Sequence, residues 1–340
     1  MASVEKENYT GIQALRFLAA ILVVMVHATM YTKDRLDPTF GIWFPGRDGV
    51  DVFFVISGFV MVVSSRKLMT QPDGWLVFAK RRLIRIVPLY WLATTLRLGA
   101  MLAVPSLLLH PKLSFYQVVT SYLFFPARDA EGSLHPLLVV GWTLNYEMFF
   151  YMVFTLALLL RRDIYGFIGV VLGLCALGSL VPNIESDALA FYFNPIVIEF
   201  FGGMLLARVA ATWRIPWWAC LAAFAVGLAL LLAQSSSEPS PRFIKIGLPA
   251  LLVVSGVVFG ERWLAGRIPI FLLDLGAASY ALYLFHPIFA PAVPTVLKLV
   301  GLHEGWISIV AFVMFSIIVS VIAFAGVERR MTRSLNRRLL

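Results

Sequence analysis

The sequence predicts an all-α, polytopic membrane protein of about ten transmembrane helices, with both termini on the cytoplasmic side. Three observations carry that fold class. The 340 residues are 60% hydrophobic and only 14% charged, well above the ~45–50% apolar content of soluble domains, and the mean hydropathy is +0.85. Apolar runs of near-spanning length recur along the chain, with short polar connections between them, a pattern that only membrane-crossing helices satisfy. Lys and Arg are also unevenly shared: leaving out Arg16 and Arg97, alternate connections hold 18 and eight. The positive-inside rule puts the richer set, and with it both ends of the chain, in the cytoplasm. The net charge of +9 therefore reads as a topology signal and not as a nucleic-acid footprint. No polar stretch is long enough to form a second domain, so residues 1–340 make one membrane domain.

Taken in order, the first span covers about 12–31. It is too long for a signal-peptide core and has no small-residue cleavage site, so it reads as a retained helix. A mixed-charge loop with Pro38 and Pro45 leads to the second span, 49–65, which opens Gly49-Val50-Asp51. A basic connector holding Arg66, Lys67, Lys80, Arg81, Arg82 and Arg85 follows. The third span, 86–104, has Pro88 in its first turn, where a missing N–H costs nothing. The connection 105–141 is the longest, and Ser114–Phe125 within it has the character of an interfacial segment. Spans at 142–160, 164–180, 191–209, 216–233, 244–260, 270–291 and 305–327 complete the set. The loop Gln234–Arg242 is rich in Ser and Pro and reads as exposed, and the tail from Glu328 carries five arginines. Cys175 and Cys220 fall in spans and suggest neither a disulfide framework nor a zinc site. His110, His135 and His303 fall in loops, and no metal site is expected.

The chemistry is expected where polar groups enter spans. Arg16 and His27 are eleven residues apart on one helix, three turns plus about 20°, so they share a face roughly 16 Å apart. Such residues inside a span are functional candidates unless they merely snorkel or bond a neighbouring helix. The topology puts His27, Asp51, Glu147, Trp142 and His286 in the outer half, with Glu147 about 7 Å deeper than Trp142. A His beside a carboxylate suits hydroxyl activation, since imidazole takes the proton and the acid fixes its tautomer. The same cluster equally suits structural hydrogen bonds or a transporter's proton relay. At the inner mouth Arg81, Arg82 and Arg85, with Arg16 behind them, offer forks for phosphate or for lipid headgroups. Glu199 is a further intramembrane acid, and Ser57-Gly58 allows close helix approach.

The segments Arg16-x10-His27, Gly49-Val-Asp-Val-Phe-Phe-Val-Ile-Ser-Gly-Phe59, Arg81-Arg-Leu-Ile-Arg-Ile-Val-Pro-Leu-Tyr90, Trp142-Thr-Leu-Asn-Tyr-Glu147 and Ser279-Tyr-Ala-Leu-Tyr-Leu-Phe-His286-Pro, in that order, resemble the integral-membrane acyltransferase family 3. The chain is most similar to its short members of the succinoglycan exopolysaccharide type. The resemblance implies acetyl-CoA as cytoplasmic donor and, in the inner membrane of a bacterium, a glycan or lipid-linked saccharide hydroxyl as periplasmic acceptor. It implies a catalytic set of His27, Glu147 and Arg16, with Glu147 orienting His27. Arg82, Arg85 and Arg16 would hold the CoA donor; Asp51, Trp142, His286 and Glu199 are expected at the acceptor from their placement in the spans and not from the resemblance. Thr143 stands where the family usually has Ser. A transporter of acyl groups or glycan intermediates and a non-catalytic assembly subunit remain as rivals, and the oligomeric state is not legible.

Overall fold

The computed structural model describes residues 9–103, 114–234 and 242–340. The polar N-terminus, the stretch around His110 and most of the Gln234–Arg242 loop lie outside the described residues. Within them the chain is helical, with no strand. Five helices are long and apolar enough to cross a membrane, or six if a bent pair counts as one span.

Helix α1 (Thr10–Arg35) is the axis of the assembly. Its first free amides are held by Glu261, which accepts from Thr10 N at 2.6 Å, from Thr10 Oγ1 at 2.7 Å and from Gly11 N at 2.9 Å. A carboxylate at a helix N-terminus complements both the orphan N–H groups and the macrodipole. The chain then turns back along α1. Trp43 N donates to Thr29 Oγ1 at 3.1 Å. A Cβ on Gly46 would lie 2.1 Å from Leu22 O, and one on Gly49 2.4 Å from Ala19 O. Only glycine permits this descent, and the 3₁₀ turn Phe44–Asp48 carries it.

Helix α2 (Gly49–Ser65) matches the expected span end to end. It starts, however, against the middle of α1, about 15 Å below Thr29 at 1.5 Å per residue. Helix α3 (Gly74–Ala103) begins twelve residues before the expected start, because the basic connector from Lys80 to Arg85 is itself helical; Pro88 lies in its interior. Helix α4 (Phe115–Tyr122) is short, with Phe115, Tyr116 and Val119 exposed. Helices α5 (Trp142–Leu159) and α6 (Ile164–Gly178) keep close to the expected bounds.

The expected span 191–209 is broken into α7 (Asp187–Tyr192), a 3₁₀ turn at Pro195–Val197 and α8 (Ile198–Ala210). Asn194 and Pro195 are the cause, the side chain of Asn194 accepting from Ile196 N at 3.0 Å. Helix α9 (Trp217–Leu232) pairs with α10 (Leu248–Leu264). Span nine is bent by 62° between α11 (Ile270–Ala277) and α12 (Ser279–Phe289). After α13 (Ala292–Leu299) and α14 (Gly305–Ala323), a π turn leads into α15 (Arg329–Leu339), so the basic tail is helical.

Glycines set the tightest crossings. A Cβ on Gly58 of α2 would lie 1.9 Å from Phe200 O of α8, and one on Gly203 of α8 would lie 2.0 Å from Val55 O. Reciprocal small residues of this kind let two backbones touch where no hydrophobic force between helices operates. That crossing fixes α8 against α2. Meanwhile α11 meets α1 at Gly276, whose Cβ would lie 2.0 Å from Gln13 O.

Candidate active site

The expected residues separate into three groups, each held by different elements. The first surrounds a cavity of about 210 Å³. Its polar wall is Arg16 of α1, Ser57 of α2, Arg82 and Arg85 of α3, and Glu147 and Tyr151 of α5; Phe53, Thr143, Tyr280 and Tyr283 form its aromatic and hydroxyl side. It is larger than the ~150 Å³ that accommodates a benzene. Arg82 and Arg85 face the same way because they are three apart on α3.

Arg82 donates to Ser64 Oγ at 2.5 Å and its guanidinium stacks 5.2 Å from the Phe78 ring and 5.8 Å from that of Tyr151. Arg81, on another face, is exposed. Glu147 accepts from Ser57 Oγ at 3.2 Å and from the Tyr151 hydroxyl. No ion pair within 4.0 Å holds Arg16 among the described residues. A cavity with three guanidinium groups and one carboxylate is net cationic and suits an anionic ligand. Tyr151, Tyr280 and Tyr283 were not singled out as site residues by the sequence, and Ser57 was marked only for close helix approach. Glu147, five residues into α5, was.

The second group is the histidine pair, and it corrects an expectation. Glu147 does not orient His27, since its carboxylate is engaged in the cavity. The partner of His27 is His286, whose Nε2 lies 3.3 Å from His27 Nδ1 with ring centroids 4.9 Å apart. The tautomers follow from the carbonyls. His286 Nδ1 lies 2.9 Å from Leu282 O and His27 Nδ1 lies 2.8 Å from Val23 O. A carbonyl only accepts, so both Nδ1 atoms carry hydrogen. His286 Nε2 then accepts from His27 Nδ1–H, which it shares with Val23 O, and His27 Nε2 is left with its lone pair. His286 is 1% exposed whereas His27 is half-buried, so His27 is the more accessible ring of the two.

The cavity and the pair are neighbours. Tyr283 lines the cavity, its ring centroid 6.3 Å from that of His286 and 6.0 Å from that of Phe53. Tyr283 is itself fixed, donating to Val140 O at 3.0 Å, with Thr143 Oγ1 2.9 Å away. Thr143 thus supplies a hydroxyl at the partition.

The third group is Asp51 with Glu199, two residues that the sequence joined to the acceptor site. Both are buried, at 0% and 1% exposure, and neither is among the residues that line the cavity. Because α2 begins beside Ala19, Asp51 is deep in the bundle and not at its outer face. Arg242, expected in an exposed loop, donates to Asp51 Oδ2 at 2.8 Å. Trp142 is likewise outside the cavity wall, packed edge-on to Phe54 and Tyr146.

Comparison with known proteins agrees with this architecture. No solved structure matches the chain. It is 33% identical over 305 residues to the exopolysaccharide production protein ExoZ of Rhizobium meliloti (strain 1021), an alignment covering 85% of this chain and 90% of that protein. The acyltransferase domain model matches residues 9–325, nearly the whole chain. With the helical membrane fold and the cationic cavity beside a histidine pair, that match makes this protein a member of the membrane acyltransferase 3 family.

Proposed function

We propose that the protein is a ten-span, N-in and C-in inner-membrane O-acyltransferase, moving an acetyl group from cytoplasmic acetyl-CoA to a hydroxyl of an exopolysaccharide glycan at the periplasmic side. The observation that carries this reading is the juxtaposition of a net-cationic cavity and a tautomerically fixed histidine pair across the Phe53–Tyr283 partition. The relative's role in exopolysaccharide production gives the acceptor class.

In this reading Arg82 and Arg85 hold the CoA phosphates, and the acetyl thioester enters the cavity. Arg16, about 16 Å from His27 along α1, holds the pantetheine arm that carries the thioester towards the partition. His27 Nε2 removes the acceptor hydroxyl proton as its oxygen bonds to the thioester carbonyl carbon. The C–S bond breaks and the thiolate departs with its electron pair. His286 keeps His27 in the productive tautomer throughout. Glu147, held by Ser57 and Tyr151, balances the arginines and keeps them from collapsing the cavity. A solute-moving role draws support from the bend between α11 and α12, because transporters bind at broken helices.

Glycan O-acetyl content in cells expressing the wild type, His27→Ala or Val26→Ala at matched levels tests the proposal. Loss only in the His27 variant is expected; equal acetylation in all three refutes it. Purified protein that moves acceptor without consuming acetyl-CoA favours transport. Reporter fusions after Arg66 and after Ser237 should report cytoplasm and periplasm, and the reverse would invert the topology.

A further inference from the structure

The same two helices that bring cations to the inner cavity bring a second pair to the opposite end. Arg35 is just over two turns beyond His27 on α1, about 12 Å along the axis and about 80° around it, with Tyr31 between them. Arg97 is on α3, about 18 Å beyond Arg85, and within electrostatic reach of Tyr31 and Arg35. Arg35 donates to Pro291 O at 3.0 Å and to Thr295 Oγ1 at 3.2 Å, and its guanidinium is 5.4 Å from the Tyr31 ring centroid. Exposed Asp34 lies 3.8 Å from its Nε. Arg97 is 9% exposed, and no hydrogen bond or ion pair among the described residues engages it. None of its nitrogens is among the fully buried atoms that lack a partner, so the guanidinium keeps an open edge at which an oxyanion can offset the cost of its otherwise desolvated position.

We propose that Arg97 and Arg35, beside Tyr31, form an oxyanion-binding site that anchors an acidic group of the acceptor above the His27–His286 pair. The site rests on the acyltransferase reading, to which it adds a class of acceptor: a saccharide bearing a phosphate or carboxylate within about one sugar residue of the acylated hydroxyl. An arginine fork serves either group.

The test uses full-length protein in phosphatidylcholine vesicles, with Arg82→Gln/Arg85→Gln as background so that two of the three inner cations do not contribute. Thermal stability is read with sodium pyrophosphate, methyl glucuronide or neutral methyl glucoside. One or both anions are expected to raise Tm, the glucoside is not, and Arg97→Gln is expected to abolish the response while Arg97→Lys keeps part of it. Pyrophosphate alone acting identifies a lipid-linked phosphate; glucuronide alone acting identifies an acidic sugar. An absent response to both anions overturns the proposal, as does an Arg97→Gln effect seen only when phosphatidylglycerol replaces phosphatidylcholine, which makes Arg97 a headgroup anchor.

With the native inner arginines, acetyl transfer to methyl glucuronide, or to glucose 1-phosphate where pyrophosphate is the effective anion, should show a KM about tenfold below that for the glucoside, the least a charge-assisted hydrogen bond gives. Arg97→Gln should erase that ratio and leave the acetyl-CoA KM unchanged. Anion binding without transfer to any probe sinks the acyltransferase reading and leaves the site standing.

Discussion

Replacing Arg242 by Gln should unfold the protein more readily without changing how it recognises either substrate. Arg242 Nη2 is 2.8 Å from Asp51 Oδ2, and the two side chains are 18% and 0% exposed. The Asp51 and Glu199 carboxyl groups lie within hydrogen-bond reach of each other, and no other donor among the described residues meets the Glu199 oxygens or the second Asp51 oxygen. Removing the cation leaves two adjacent carboxyl groups in the bundle interior without compensation. Breaking a buried pair from one side typically costs about 3–5 kcal/mol. Removing the pair altogether costs far less, since apolar or neutral replacements of similar volume are close to neutral. SDS titration of folded protein in mixed micelles measures this. Arg242→Gln should unfold at a distinctly lower SDS fraction, and Asp51→Asn in the same chain should recover most of the loss. If Arg242→Gln unfolds with the wild type and instead raises the acceptor KM, the cluster is a substrate site and the structural reasoning fails.

Three further outcomes follow from the geometry. His27→Ala should cut turnover by about 10²–10⁴, the usual contribution of a general base, whereas His286→Ala should cost about 10–100-fold by analogy with orienting partners of metal-bound histidines; equal acetyl transfer by His286→Ala and wild type would remove the pair from the mechanism. Gly58→Val should lower the yield of monodisperse protein in size-exclusion chromatography, because even a single Cβ meets Phe200 O at 1.9 Å and overpacking costs about 1–3 kcal/mol or more; normal yield would mean that the α2–α8 crossing tolerates separation. Glu261→Ala should destabilise α1 by about 1–2 kcal/mol through its uncapped first turn, read as faster hydrogen exchange at Thr10 and Gly11; unchanged exchange there would contradict the cap.

The inner cluster was legible because two sequence rules suffice for it. Arg82 and Arg85 share a helix face by their spacing, and Arg16 enters the first span from the side that the charge count assigns to the cytoplasm. Depth was harder to read. The rise per residue gives the level of Glu147 on its helix but not which neighbour it faces, so a carboxylate at a reasonable height was paired with His27 when packing directs it to Ser57 and Tyr151. Asp51 was misplaced for a different reason: counting inward from a helix start assumes that the start is at the surface. The chain before it follows α1 downward, a path that Pro45-Gly46 and Gly49 permit but do not announce. Arg242 adjoins a Ser- and Pro-rich stretch whose composition says solvent, while its long side chain reaches back to a buried acid. The helix break at Asn194-Pro195 was readable from turn chemistry and was overridden by the apolar run on either side.

The continuity of α3 has a consequence for how this enzyme can diverge. Arg85 and Arg97 are separated by twelve residues of one helix, so their spacing and relative angle, about 18 Å and 120°, are written in residue number. Inserting one residue between them would lengthen the interval by about 1.5 Å and swing one cation about 100° around the axis. Deleting one would do the reverse. The helix is therefore a ruler that tolerates substitutions anywhere on its lipid face but almost no change in length. Acceptors of a different reach should be accommodated by the loops beyond α1 and α12, where residues can be added without moving either arginine.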